Sequence, residues 1–353
     1  MRFNKGHLIP VQVILLLVSV LFYDQAVQAC SRVLWAENGQ AILIGRNMDW
    51  LEDMKTNLWV LPRGMRRDGS IGKNSLSWTS RYGSVGAVSY DNATADGLNE
   101  KGLHMALLWL AESEYGQRDE KLPGMLLSLW GQYFLDNFAT VEEAVSAIEK
   151  KPFQLFSGAV GTSGREARLH LALADATGDS AIIEYLDGRP KVYHSRQYTV
   201  MTNSPTFDKQ LAHLKQYKGF GGDQSLPGTT EAADRFVRAA YYLKQLPNPT
   251  THRQAVAGLI SVMRNIAQPF GVPDPARPNI SATIWRTVSD LTNKVYFYES
   301  STSPYLLWVN LGKLNFTEGA PAMKLDLVNN PDYLGDVTAE FKPAKPFSFV
   351  PEN

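Results

Sequence analysis

The chain has 353 residues, 35 Lys+Arg against 35 Asp+Glu, and one cysteine. Balanced charge argues against a nucleic-acid surface or an acidic partner. A lone cysteine excludes an internal disulfide.

Residues 1–29 read as a secretory leader: Arg2 and Lys5, an apolar run from Val11 to Phe22, then a small and polar end with Val27 at −3 and Ala29 at −1. The apolar run, about 12 residues, falls short of the about 20 a membrane span needs, so stable membrane insertion is not expected. Residues 30–353 are expected to form one domain, exported and periplasmic. Cleavage after Ala29 would make Cys30 the first residue, with a thiol and a free α-amino group on one backbone unit. That amine has an unperturbed pKa of roughly 7.7–8, so nucleophile and base would arrive together. A lone thiol in an oxidising compartment is a liability unless it reacts. Val27-Gln28-Ala29-Cys30 also resembles a lipoprotein signal, which would make the chain a lipid-anchored binding protein with Cys30 lipidated. Gln28 fits that pattern poorly, and the residues after Cys30 read as a strand rather than a polar tether.

Ser31 to Glu37 and Ala41 to Arg46 flank Asn38-Gly39, a hairpin signal. The hairpin brings Arg46 and Asp49 back towards Cys30. Strand-like runs follow at Asn57–Leu61, Leu76–Thr79, Ser84–Ser89 and Leu103–Leu110, the last preceded by a turn at Gly97–Gly102. The pattern predicts a helix from Pro123 to Phe138 and, after the capping box Thr140–Glu143, a second to about Lys150. Strands are expected at Leu169–Asp175, Ser180–Leu186, Lys191–His194 and Tyr198–Thr202. Helices follow at about Glu231–Gln245 and His252–Ile266, the second capped by Thr251 with Gln254. Gln268–Asn279 is proline-rich loop. Strands close the chain at Thr283–Val288, Lys294–Glu299 and Leu306–Asn310, with a loop-like tail beyond Pro331. Segregated runs of this kind suggest an α+β fold of antiparallel sheets with helices packed on them.

Near sulfur, Arg46 would favour thiolate, and Asp49 could hydrogen-bond the α-amino group. The plainer alternative is that the two pair with each other on a surface. None of the histidines has a partner motif, and no cluster suggests a metal site.

Cys30, Gly45-Arg46-Asn47-Met48-Asp49-Trp50, Asp96-Gly97-Leu98-Asn99-Glu100-Lys101-Gly102-Leu103, Met201-Thr202-Asn203-Ser204-Pro205 and Asp234-Arg235-Phe236-Val237-Arg238 occur in order along the chain. In this the sequence resembles the choloylglycine hydrolase family, N-terminal-nucleophile hydrolases that include penicillin V acylases and conjugated bile salt hydrolases. The resemblance implies a four-layer αββα sandwich, hydrolysis of a linear amide in a small-molecule N-acyl substrate, no cofactor, and a homotetramer. It implies roles as well: Cys30 as nucleophile, Arg46 and Asp49 beside it, Asn203 as side-chain oxyanion donor and Arg235 as a second site arginine. Without it, Asn203 would be a turn residue and Arg235 an exposed helix charge. Aligned through Gly102–Ala106, Trp109 stands where the family has its second, backbone, oxyanion donor, a position that is Asn in bile salt hydrolases and Tyr in some penicillin acylases. An indole there favours an aromatic or fatty acyl group. That fits the exported Gram-negative branch with its penicillin V and acyl-homoserine-lactone acylases better than the alternative, bile salt hydrolysis. The plain reading of Trp109 is a core aromatic.

Overall fold

A computed structural model describes residues 30–150, 153–160, 165–270 and 282–350. The leader and residues 271–279 of the proline-rich stretch lie outside them. The Asn-Gly signal does produce the hairpin that founds the fold. Strand β1 (Ser31–Trp35) pairs antiparallel with β2 (Leu43–Trp50), with Ser31 opposite Asn47 and Arg32 opposite Arg46. The connection is longer than a two-residue turn, and Asn38 ties it down. Its side chain donates to Trp35 O and Ala41 O and accepts from the Gln40 and Ala41 N–H groups.

β1 and β2 lie inside a sheet of seven strands among the described residues. Its order is Val200–Thr202, β1, β2, Ala282–Asp290, Val295–Ser300, Leu306–Asn310 and the short Gly335–Asp336. Apart from that last edge pairing it is antiparallel. A second sheet of nine strands runs Arg189–His194, Ser180–Leu186, Leu169–Ala174, His104–Trp109, Ala93–Asn99, Ser84–Ser89, β3 (Asn57–Leu61), Met323–Leu325 and Lys342–Pro343.

Helices α1 (Trp130–Asn137) and α2 (Val141–Lys150) cover the second sheet; α4 (Ala232–Gln245) and α5 (His252–Asn265) cover the first, and α3 (Phe207–Leu214) packs on α4. The expected four-layer order αββα results. Both sheets are therefore buried on two faces, which is why central strands read as apolar runs rather than alternating ones. In Leu169–Ala174, Leu171 and Leu173 join the core under α1 and α2, while Ala172 and Ala174 face the other sheet. Both predicted helix caps form: Thr140 Oγ1 accepts from Glu143 N–H and Thr251 Oγ1 from Gln254 N–H, each at 3.2 Å.

Two expectations fail, each for a tertiary reason. The helix predicted from Pro123 begins only at Trp130. Gly124–Leu126 is instead a strand paired with Gln154–Phe156, followed by a 3₁₀ turn at Leu127–Leu129. The Leu126 N–H goes to Gly69 O at 2.8 Å, so pairing with distant segments overrides local propensity. Gly97–Asn99, expected to be part of a turn, lies inside the strand Ala93–Asn99. α3 and the strand Met323–Leu325 were not anticipated.

The real turn comes at Asn99–Gly102, closed by Gly102 N–H to Asn99 O. Gly102 has φ +93°, and a Cβ there would lie 2.7 Å from Leu291 O. Both facts demand glycine. Gly102→Ala is expected to destabilise the fold by about 1–3 kcal/mol, read as a lower urea midpoint with an unchanged slope. An unchanged midpoint would contradict this packing.

Candidate functional site

The site is assembled at the first residue of β1. Cys30 is buried, its Sγ 3.8 Å from Asp49 O and 3.9 Å from both Arg46 Nη2 and Met48 Sδ. Arg46 and Asp49 do not pair with each other. They are three residues apart on β2, so the strand's alternation sends them to opposite faces. Arg46 points towards the second sheet, donating from Nη2 to Leu107 O there at 2.8 Å, while its guanidinium stacks over Trp285 of the neighbouring first-sheet strand, 4.5 Å from the ring centroid. Asn47 and Asp49 point to the helices: Asn47 Nδ2 donates to Met263 O on α5, and Asp49 meets α4.

Asp49 accepts from Thr283 Oγ1 and faces Arg235 Nη1 at 3.6 Å. It does not hold the Cys30 nitrogen, as the sequence suggested; that N–H donates to Asn203 Oδ1. Burial pushes the Asp49 carboxyl up to about 6, against the opposing pull of Arg235 and the Thr283 hydrogen bond.

Arg235 is not an exposed helix charge. It is fully buried on the first turn of α4 and donates to Cys30 O (2.9 Å), Ser31 Oγ, Asn203 Oδ1 (3.2 Å) and Thr230 O (3.0 Å). These donors fix the orientation of the Asn203 amide, because only its oxygen can face Arg235 and the Cys30 N–H. Nδ2 then points the other way and donates to Trp109 O at 2.8 Å. Asn203 follows the edge strand Val200–Thr202, and its loop is tied to the second sheet: Ala111 N–H donates to Ser204 Oγ and Ser204 Oγ to Glu112.

Trp109 ends the strand His104–Trp109 opposite Leu169, and the next ladder bond is Leu110 N–H to Arg168 O. Trp109 thus sits in a non-hydrogen-bonded pair, with its own N–H and C=O turned away from Leu169 on the side where Asn203 bonds. Its indole packs against Trp50, with centroids 5.9 Å apart. The two indoles wall a cavity of about 130 Å³ that reaches Cys30 and is otherwise lined largely by apolar groups such as Met54, Leu126, Phe156 and Leu169.

The structure therefore gathers all six predicted residues, Cys30, Arg46, Asp49, Trp109, Asn203 and Arg235. Sequence reasoning missed Thr283, Leu107 O and the Trp50 and Met48 side chains. The last two were available from β2's period of two, since they share Arg46's face. Burial is the largest influence on the Cys30 thiol and raises its pKa; Arg46 pulls the other way, Asp49 adds to the rise and Arg235 opposes it. Among the described residues no three His, Cys, Asp or Glu side chains converge as metal ligands would.

Two stacked antiparallel sheets between helices, with a cysteine and an arginine lining an apolar cavity and an asparagine and a second arginine bonded to that cysteine's backbone, describe a layered α+β amide hydrolase. A sequence profile for linear amide C–N hydrolases of the choloylglycine hydrolase family matches residues 30–330, and the chain belongs to that family. It is 46% identical over 346 residues to a penicillin V acylase from Pectobacterium atrosepticum, covering 91% of this chain and 92% of the relative. The solved penicillin V acylase from Agrobacterium tumefaciens is 47% identical and superposes with a TM-score of 0.83, over 91% of this chain and 99% of that one. A bile salt hydrolase/transferase from Clostridium perfringens is more distant, at 26% identity over 77% of this chain and 89% of the relative. The chain is an amidohydrolase acting on linear amides.

The Asp49 shift has a sign that can be tested. A carboxyl raised from 3.8 to about 6 keeps its proton longer in the folded chain than in the unfolded one. Its contribution therefore favours the fold below about pH 4 and is lost as pH rises through about 6, a swing of roughly 3 kcal/mol. Asp49→Asn removes this titration. Relative to the variant, the wild type is expected to lose stability between pH 4 and 7 in paired urea titrations. A constant difference across that range would refute the assignment.

Proposed function

We propose that this chain is an exported acylase that hydrolyses amides of aryloxyacetyl or fatty acyl groups, with Cys30 as an N-terminal nucleophile after removal of residues 1–29. The observation carrying this reading is the Trp50–Trp109 wall of an apolar cavity that opens onto Cys30. Similarity at 46–47% to two penicillin V acylases supports the acyl class. The start of the family match at residue 30 supports the processing.

With Ala29 attached, the Cys30 nitrogen is an amide and cannot take a proton. Freed, it becomes an amine beside its own thiol, held by Asn203 Oδ1. The amine takes the thiol proton and the thiolate attacks the acyl carbonyl carbon. Asn203 Nδ2 carries two hydrogens and Trp109 O takes one, which leaves the other for the developing oxyanion beside the Trp109 N–H. The protonated amine gives its proton to the leaving nitrogen as the C–N bond breaks. Water, deprotonated by the same amine, then cleaves the thioester and restores the thiol. Arg46 offsets the thiolate charge. Arg235 holds Asn203, Cys30 O and Asp49 in place.

Cys30→Ala is expected to abolish turnover of penicillin V. Asn203→Ala is expected to lower kcat by about 10²–10³, with folding intact. Retained turnover in purified Cys30→Ala protein would sink the mechanism.

Mass spectrometry of the exported protein should find unmodified Cys30 as the first residue; a diacylglyceryl adduct would favour the lipid-anchored alternative. In a panel of penicillin V, acyl-homoserine lactones and glycocholate, the first two should be preferred. A clear preference for glycocholate would return the chain to the bile salt reading.

A further inference from the structure

Beside the reaction cavity lies a second one, of about 370 Å³, floored by Trp285 and Tyr298 and edged by Glu52 and Asp53. Trp50 lines both. Tyr90 belongs to the wall of the first cavity and Glu52 to that of the second. The Tyr90 O–H donates to Glu52 Oε1 at 2.7 Å, and the Trp50 side chain lies within hydrogen-bonding reach of the same phenol oxygen. Trp50 and the Tyr90–Glu52 hydrogen bond thus link the walls of the two spaces.

The backbone that carries this phenol is unusual. Tyr90 and Asp91 have φ of 52° and 45°, in the left-handed region that aromatic residues rarely enter. Tyr90 sits there because the surrounding turn is over-determined. The Asn92 N–H donates to Ser89 O at 3.0 Å and the Tyr90 N–H to Met54 O at 2.7 Å. The Asp91 carboxylate accepts from Trp59 Nε1 (2.8 Å) and Lys324 Nζ (2.7 Å). Strain held in this way concentrates at ligand-facing positions, where it aims a side chain that relaxed backbone would not.

We propose that Tyr90 is a specificity-determining residue. Latched to Glu52, its ring closes the acyl cavity on the side of the second space and so sets the longest acyl chain the enzyme accommodates. Release of the ring joins the two cavities and admits a longer chain. This inference rests on the reading that the apolar cavity receives the acyl group. It adds what limits that group's length.

The test uses product binding, which needs no working nucleophile. Saturated carboxylic acids from butanoate to tetradecanoate are titrated calorimetrically into mature wild type, Tyr90→Phe and Tyr90→Ala. While a chain is being buried, affinity should rise about fourfold per methylene. In the wild type the rise is expected to stop at one chain length. In both variants it should continue for at least two further methylenes, since Tyr90→Phe lacks the latch and Tyr90→Ala lacks the ring. A common break in all three proteins, or no break in the wild type through tetradecanoate, overturns the proposal. Should Tyr90→Ala fail to fold, Tyr90→Phe alone decides. Penicillin V turnover measured in parallel keeps the two readings apart: an active wild type with a common break loses only the latch, whereas a protein that binds no acid of any length loses the acyl cavity itself.

Discussion

Two arginines stand side by side in the interior of this molecule, and the architecture follows from how they are accommodated. Arg32 and Arg46 are direct cross-strand partners on β1 and β2, and neither is exposed. Like charges so placed repel, and an unpaired buried cation is costly. They diverge and take different partners, and each reaches across to a backbone carbonyl of the second sheet. Arg32 donates to Leu173 O, Ser180 Oγ and Tyr198 O. Arg46 takes Leu107 O and the face of Trp285. Burial still lowers Arg32 to about 9. Both solutions work only if the sheets stack in one register, so the cation beside Cys30 depends on sheet docking far more than on its local sequence.

The same layer holds a carboxylate that completes the arrangement. Asp96, on the strand Ala93–Asn99, accepts from Tyr296 O–H at 2.6 Å and Thr287 Oγ1 at 3.1 Å, both on the first sheet, and faces His104 at 3.0 Å. Burial pushes its carboxyl up. His104, Arg46 and the Tyr296 hydrogen bond outweigh that and hold it below the ordinary value. The sheets are thus joined by charge and hydrogen bonds as well as by apolar contact. Buried polar contacts between the sheets, Tyr296 and Thr287 to Asp96 among them, favour one stacking over its neighbours.

Much of this was legible in the sequence, and the failures have a common physical origin. The founding hairpin was readable because Asn38 carries its own structural information, bonding four backbone groups around the turn. Both capping boxes were readable because a cap is local. Partnerships across the chain were not. Nearness in sequence makes Asp49 a candidate partner for the Cys30 nitrogen, yet the asparagine that holds this nitrogen lies 173 residues on. Gly97 looked like a turn residue because glycine usually marks one. Here it sits opposite Gly86 in mid-strand, where a Cβ would lie 2.7 Å from Leu135 of α1, so the missing side chain serves close packing rather than a turn. The odd separation of Arg46 and Asp49 along one strand is itself enough to put them on opposite faces.

Residue 109 is where chemistry and selectivity meet, and the backbone keeps them separate. Asn203 bonds the main chain of Trp109, and the ladder bond at Leu110 fixes which way that main chain faces. Neither contact involves the indole. The indole instead belongs to the cavity wall with Trp50. Cys30, Asn203 and Arg235 come from the first sheet, its edge loop and α4; the second sheet lends the chemistry only the backbone of residue 109, while the side chains of Trp109, Leu126, Phe156 and Leu169, from that sheet and the segments packed beside it, form the wall. A different side chain at 109 would therefore reshape the wall while the backbone donor stays in place. A single layered scaffold can in this way hold one amide-cleaving geometry constant and vary the acyl group it accepts.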